Sequence, residues 1–136
     1  MYQFSDFETV KALPDTTTVQ ELSRAIGLSL SRTYEFLDEA KIPYIQISNR
    51  KIMFKEHLLQ GLSKKRIFTD VAKLNAITLL PEVFSPQELI PTLRISNGFA
   101  YRLVRTIGFP AVVQRRRIVV NKQGFIRWIK EREKYI

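Results

Sequence analysis

The sequence predicts a mainly α-helical protein carrying small β-hairpins, with the same module built twice in one chain. Three observations carry this. Residues 20–62 lie over residues 87–129 at a shift of 67, with eight identities: Gln20/Gln87, Glu21/Glu88, Leu22/Leu89, Ser29/Ser96, Tyr34/Tyr101, Pro43/Pro110, Arg50/Arg117 and Lys55/Lys122. Unrelated sequence would give roughly two or three matches over such a span. Apolar character repeats as well, in Ile26/Leu93, Leu28/Ile95, Phe36/Leu103, Leu37/Val104, Ile42/Phe109 and Ile45/Val112. Within each copy, helix-start signals precede apolar residues at helical spacing, and a proline then introduces two short apolar runs about a polar or basic turn.

In copy one, Thr18-Val-Gln-Glu21 has the form of a capping box, with a hydroxyl at N-cap and a carboxylate three residues on. The helix it opens carries Val19, Leu22 and Ile26 on one stripe, and Gly27 ends it. Ser29 caps a second helix, about Leu30 to Ala40, whose buried stripe is Thr33, Phe36, Leu37 and Ala40. Helix, tight turn and helix is the helix-turn-helix pattern. Pro43 stops helical structure. Residues 44–47 and 51–54 read as strands around Ser48-Asn49-Arg50, a hairpin or wing, and a helix closes the copy at about Lys55 to Leu62.

Copy two follows the same order. Ser85-Pro-Gln-Glu88 is a second capping-box sequence with proline at the first helical position. Pro91 falls within the first turns, so this helix should be short or distorted. Ser96 caps the next helix, Asn97 to Ile107, with Ala100, Val104 and Ile107 as its buried stripe and Gly108 as its end. After Pro110, strands at 111–114 and 117–120 flank Arg115-Arg116, and Asn121 caps a last helix reaching about Lys134.

The expected organisation is an N-terminal extension over residues 1–14, copy one over 15–62, a connector over 63–83 and copy two over 84–136. Residues 63–81 lack glycine, and Ile67, Val71, Leu74 and Ile77 are helically spaced. This predicts one connecting helix packed on both copies rather than a flexible linker. The N-terminal residues should form a short helix or strand over part of the core.

Charge is uneven. The formal net charge is +9 at a pI near 10.0. Residues 1–14 carry −1, residues 15–62 are neutral, residues 63–81 carry +3 and residues 82–136 carry +7. Attraction to polyanions therefore belongs mainly to copy two and the connector. The absence of cysteine excludes disulfides and thiolate zinc sites. No leader pattern and no apolar run of membrane-spanning length is apparent, so the expectation is a soluble cytoplasmic protein that binds no membrane.

Enzymatic chemistry has little to work with. His57 is the one histidine, and its helical position points to a surface or packing role rather than catalysis. There is no phosphate-binding glycine loop and no metal-ligand spacing, and Asp38-Glu39 has no histidine nearby. The reading is of a non-enzyme without cofactor or metal.

Two stretches carry a family likeness. Leu28-Ser-Leu-Ser-Arg-Thr-Tyr-Glu-Phe-Leu-Asp-Glu-Ala-Lys-Ile-Pro43 and Ile95-Ser-Asn-Gly-Phe-Ala-Tyr-Arg-Leu-Val-Arg-Thr-Ile-Gly-Phe-Pro110 resemble the recognition-helix region of excisionase-like and MerR-like winged helix-turn-helix proteins. Copy two holds the pattern's Tyr101-Arg102-Leu103-Val104-Arg105 intact; copy one departs from it with Glu35 and Asp38 in the arginine positions. The tandem arrangement is similar to TraN-type transfer repressors of Gram-positive conjugative plasmids, which act as internal dimers. The resemblance implies two winged helix-turn-helix domains and double-stranded DNA as partner. It also implies a role as transcriptional repressor on a mobile element or, alternatively, as an excisionase-like or transfer-origin accessory factor. The chain would act as a monomeric pseudo-dimer.

Residue chemistry supplies the candidate contacts. In copy two, Asn97 stands at the start of the second helix behind its cap Ser96, and Gly98, Tyr101, Arg102 and Arg105 share the face opposite the apolar stripe. Arginine can read guanine bidentately and asparagine can read adenine in the major groove. Tyrosine can hold a phosphate. The triplet Arg115-Arg116-Arg117 at the hairpin tip suits phosphates or a narrow minor groove. In copy one, Ser29, Ser31, Arg32, Tyr34, Asn49, Arg50 and Lys51 are the weaker counterparts. Glu35, Asp38 and Glu39 would repel a phosphate backbone, so copy one is either a weaker reader or a surface for a recombinase, relaxase or polymerase. Lys64-Lys65-Arg66 could touch phosphates or simply be solvated.

Overall fold

Local capping sets the first module as the sequence requires. The Thr18 hydroxyl accepts from the Glu21 backbone N–H at 3.3 Å while the Glu21 carboxylate accepts from the Thr18 N–H at 3.1 Å, which satisfies two otherwise orphaned donors. Gly27 ends the helix at φ 69°, the left-handed conformation in which a side chain is costly. The computed structural model describes residues 4–64 and 67–134. It separates into two units, residues 1–70 with 133–136, and residues 71–132.

The first unit runs α1 (Phe4–Lys11), β1 (Thr16–Thr18), α2 (Val19–Ile26), α3 (Leu30–Ala40), β2 (Tyr44–Ile47), β3 (Arg50–Phe54) and α4 (Lys55–Leu62). Its core joins Val10, Val19, Leu22, Phe36, Leu37, Ile42, Tyr44, Met53 and Leu58, all buried. In the second unit, a 3-10 turn (Val71–Lys73) precedes α5 (Asn75–Thr78) and β4 (Val83–Phe84). A second 3-10 turn (Pro86–Glu88) then leads into α6 (Leu89–Leu93), α7 (Asn97–Val104), β5 (Ala111–Gln114), β6 (Arg117–Asn121) and α8 (Lys122–Glu131). Strand β7 (Glu133–Lys134) falls in the first unit, where Glu133 pairs with Ile45 and Lys134 with Tyr44. The sheets are antiparallel, in the orders β1-β3-β2-β7 and β4-β6-β5.

The repeat is wider than the sequence match suggested. Thr16↔Phe54 in the first unit becomes Val83↔Asn121 in the second, and Ile45↔Ile52 becomes Val112↔Val119. Each pair is displaced by the same 67 residues. Hydrogen bonds follow the same shift. The Lys55 N–H donates to the Asp15 carbonyl at 2.8 Å and the Lys122 N–H to the Glu82 carbonyl at 2.9 Å. Lys55 Nζ reaches the Lys11 carbonyl at 3.0 Å, and Lys122 Nζ reaches the Thr78 carbonyl at 3.2 Å. Thus α5 and the turn before it are the second unit's version of α1.

Several expectations change. The single connecting helix over 63–83 is not formed; among the described residues that span holds only the 3-10 turn, α5 and β4. The chain leaves α4 through Lys64 at φ 60°, and residues 67–70 are not helical. Thr69 is held there by Gln60, whose Oε1 accepts from the Thr69 N–H at 3.1 Å, and by His57 Nε2, 2.8 Å from the Thr69 carbonyl. The expected apolar stripe is real in part, since Val71, Leu74 and Ile77 are buried, whereas Ile67 is exposed. The last helix stops at Glu131 instead of Lys134, because Glu133 and Lys134 bond to the β2 edge.

Ser85 makes no side-chain cap, and the turn after it is 3-10. With Pro91 two residues past its start, α6 is confined to five residues. Helix α7 ends at Val104, so Ile107 falls in the turn to Gly108 and is 97 % exposed; Leu103 joins Ala100 and Val104 in the buried stripe instead. Strands β1 and β4 went unforeseen, being too short to show alternation.

Candidate nucleic-acid interface

In the second unit the candidate residues lie on two elements. Ser96 caps α7, its Oγ accepting from the Phe99 N–H at 3.1 Å. That extended cap turns Asn97 and Gly98 outward on the first turn, both exposed. A Cβ on Gly98 would meet nothing within 4 Å, so packing within the chain gives no reason for glycine there. Tyr101 is half-buried and Arg102 exposed, with the Arg102 guanidinium 5.4 Å from the Phe99 ring centre. Arg105 is exposed at the C-cap, one residue beyond the helix where it was expected.

The hairpin tip is the second element. Gln114 pairs with Arg117, leaving Arg115 and Arg116 as a two-residue turn with φ 50° and 66°. Two successive left-handed residues fit the right-handed strand twist, but the turn favours Asn-Gly. Arginine there costs about 1–2 kcal/mol per residue in backbone strain. The tip therefore holds charge where conformation alone would select other residues. None of Arg102, Arg105, Arg115, Arg116 and Arg117 has a carboxylate partner among the described residues.

The first unit places the same positions differently. Ser29 caps α3, its Oγ 3.2 Å from the Arg32 N–H; Ser31 and Arg32 are exposed. Thr33 is buried as expected and donates to the Ser29 carbonyl at 2.8 Å. Glu35, Asp38 and Glu39 are exposed, and Asp38 pairs with Lys41 at 3.2 Å. Tyr34 is half-buried under Lys51, whose Nζ lies 5.0 Å from its ring centre and 5.5 Å from that of Tyr44. Lys51 is thus a half-buried cation held on two aromatic faces, not a group projecting from the tip. Ser48 and Asn49 make the turn, with only Ser48 at positive φ, 57°, and Arg50 starts β3.

Position 94 was missed. The turn before α7 is closed by Arg94 at φ 54°, where the first unit uses Gly27 at 69°. This adds an exposed guanidinium beside the cap. The alignment that pairs Gly27 with Arg94 was the available signal. By contrast, the identical pair Lys55/Lys122 is committed to backbone carbonyls. Lys64 is exposed, while Lys65 and Arg66 lie outside the described residues.

His57 belongs to neither face. It is buried, edge-on to Phe54 and Phe68 at 5.7 and 5.5 Å, and Nδ1 is buried without a partner. Burial holds its pKa below the ordinary value, against weaker raising effects from the Thr69 carbonyl and Glu56. Among the described residues no group of three or more acids and histidines could hold a metal, and no helix is long and apolar enough to cross a membrane. No protein-family model, curated protein or solved structure matches the chain.

Proposed function

We propose that this protein binds double-stranded DNA through two winged helix-turn-helix modules carried in one chain, and that it represses transcription on a mobile or conjugative element. The observation that carries the reading is the set of five exposed guanidiniums on α7, its cap and the β5–β6 tip. Among the described residues they have no carboxylate partner, and they occur where the first unit has Glu35, Asp38, Ser48, Asn49 and Arg50. An exposed, unneutralised cluster of this kind suits a polyanion. Asn97 and Arg102 on the first two turns of a capped helix have the chemistry for base edges. Repression, as opposed to an accessory role in recombination or transfer, rests on the family resemblance.

The test is a footprint on duplex DNA flanking the protein's own gene, with affinity followed against salt. Two results support the reading. One is a discrete protected site. The other is a shallower dependence of log affinity on log salt when Arg115 and Arg116 are both changed to Ala, by about one in slope for each phosphate no longer neutralised. Uniform weak binding with no protected site sinks it. A promoter–reporter assay separates repression from an accessory role. The acidic exposed side of α3 favours one further reading, in which the first unit docks a protein partner; pull-down in the absence of DNA tests it.

A further inference from the structure

The sheet of the second unit ends on an open edge. In the first unit β2 lies between β3 and β7. Its equivalent under the 67-residue shift is β5, the last strand of β4-β6-β5 among the described residues. Where β7 is added, Ile45 is 1 % exposed; at the equivalent position Val112 is 63 % exposed, and Val113 beside it is 75 % exposed. Natural edges are blunted by lysine, proline or a bulge, and Ala111-Val-Val-Gln114 contains none of these. Neighbouring strand residues point to opposite faces. A partner laid on one sheet face would therefore cover only one valine, while a strand added at the edge reaches both.

We propose that β5 accepts an extended segment of a partner protein, added antiparallel, with acidic residues preceding an apolar pair. The polarity follows from the hairpin. β5 runs toward the tip, so an antiparallel strand begins beside Arg115 and Arg116 and ends beside Val113, Val112 and Ala111. Its N-terminal part must answer exposed positive charge, and its C-terminal part must cover exposed valines. Main-chain hydrogen bonds would supply affinity, and the charge-then-apolar order would supply specificity. The chain already uses this mode once, in the β7–β2 pairing. The acidic segment would engage Arg115 and Arg116, the arginines that the proposed function gives to DNA, so the two partners would compete there; strand addition does not rest on DNA binding, and its test contains no DNA.

The probe is fluorescein-labelled Glu-Glu-Glu-Thr-Val-Val-Thr, titrated with the full chain and followed by anisotropy. Saturable binding is expected, with the reversed peptide Thr-Val-Val-Thr-Glu-Glu-Glu about tenfold weaker. The Arg115→Ala, Arg116→Ala protein should bind the probe about tenfold less tightly, because two exposed charge pairs are removed. Backbone N-methylation of alternate probe residues should abolish binding in one phase and spare it in the other, since a strand uses one edge at a time. Equal binding of the two peptide orders or of the two methylated forms would mean charge attraction without strand addition and overturn the proposal. So would failure to saturate. Unchanged circular dichroism of the alanine variant shows that a loss is not unfolding.

Discussion

The two units share strand register to the residue yet differ in what fills the core and what they show outside. Inside, the first unit places Gly61 against Ile42, where an added Cβ would stand 2.7 Å from Ile42 Cδ1. The second unit has Trp128 and Phe109 at those two positions, with ring centres 5.0 Å apart. A small residue faces a medium one in one copy, and two large rings meet in the other, stacked further by Phe125 at 6.1 Å. Outside, α3 shows acids where α7 and its cap show arginines. Strand register and the Ser29/Ser96 cap are common to both copies. Core volume need only be matched within a copy, and exposed residues are free to diverge. That freedom is what allows one repeat to hold two chemistries.

The largest effect should come from the core exchange. Trp128→Ala removes the ring that closes the aromatic cluster and is expected to destabilise the second unit by about 3–5 kcal/mol. Gly61→Ala in the first unit gains about 1 kcal/mol of helix propensity but crowds Ile42, a cost of about 1–3 kcal/mol, for a small net loss. Urea unfolding followed by circular dichroism measures both. Similar losses in the two variants would mean that the copies do not pack as differently as their side chains indicate.

Next comes the exposed difference. On the proposed reading, Arg102→Ala or Arg105→Ala should weaken binding to a preferred duplex by about 1–3 kcal/mol and relax its sequence preference if the side chain reads a base. Arg102 lies within α7 and Arg105 only at its cap, so the first substitution is expected to relax preference more. Competition titrations with matched and altered duplexes check this. Two silent arginine variants would place recognition in the first unit.

The sequence carried the helices within the two copies, both hairpins, the Thr18, Ser29, Ser96 and Asn121 caps, and the unequal charge of the copies. These are legible because each is local: a cap needs four residues, and an amphipathic stripe needs two turns. What it did not carry was set by distant partners. Strands β1 and β4 exist because β3 and β6 lie beside them, and β7 exists because the β2 edge was available to it. The apolar residues of 71–78 suggested a long connecting helix, yet their true relation is to α1, where Val10 and Ile77 are equally buried. Between residues 4–19 and 71–86 only Leu13/Leu80 and Pro14/Pro81 are identical at this shift, so that part of the repeat survives more in geometry than in residue identity. Among candidate site residues, Arg102, Arg115, Arg116 and Arg117 are exposed as expected. The involvement of Lys51 with two tyrosines required the folded hairpin.

A smaller effect separates the units by pH. His57 has Gly124 as its counterpart. Its Nε2 stands 2.8 Å from a carbonyl and its Nδ1 is buried without an acceptor, so the folded unit holds the ring neutral, with the proton on Nε2. Burial lowers its pKa from the ordinary 6.5. The unfolded chain then takes up a proton at higher pH than the folded one. Stability from this group is complete above about 6.5 and is lost as pH falls from there toward the lowered folded value, at no more than about 1.4 kcal/mol per pH unit. The urea midpoint of the native chain should fall between about pH 7.5 and pH 5.5 by more than that of His57→Gln. Parallel curves for the two proteins would show that His57 titrates alike in both states.

The smallest effect tests whether the acids of the first unit oppose DNA or merely decorate a helix. Asp38 and Lys41 form an exposed pair, with 55 % and 68 % of their side chains accessible. Such pairs contribute about 0–1 kcal/mol, so Asp38→Ala should leave stability close to that of the native chain. Glu35→Ala touches an exposed side chain and should be silent for folding. On the proposed reading, both substitutions remove negative charge facing duplex DNA from the positions where the second unit carries arginine. Binding to all sequences should therefore tighten slightly, by about 0.2–1 kcal/mol for each at low salt, and the gain should shrink as salt screens it. A loss of binding would instead make these carboxylates direct readers, as a carboxylate accepting from cytosine can be. The first unit would then be a specific reader and not a weaker copy of the second. No change at any salt concentration would place α3 away from the duplex, and the exposed acids would then be best tested for protein partners.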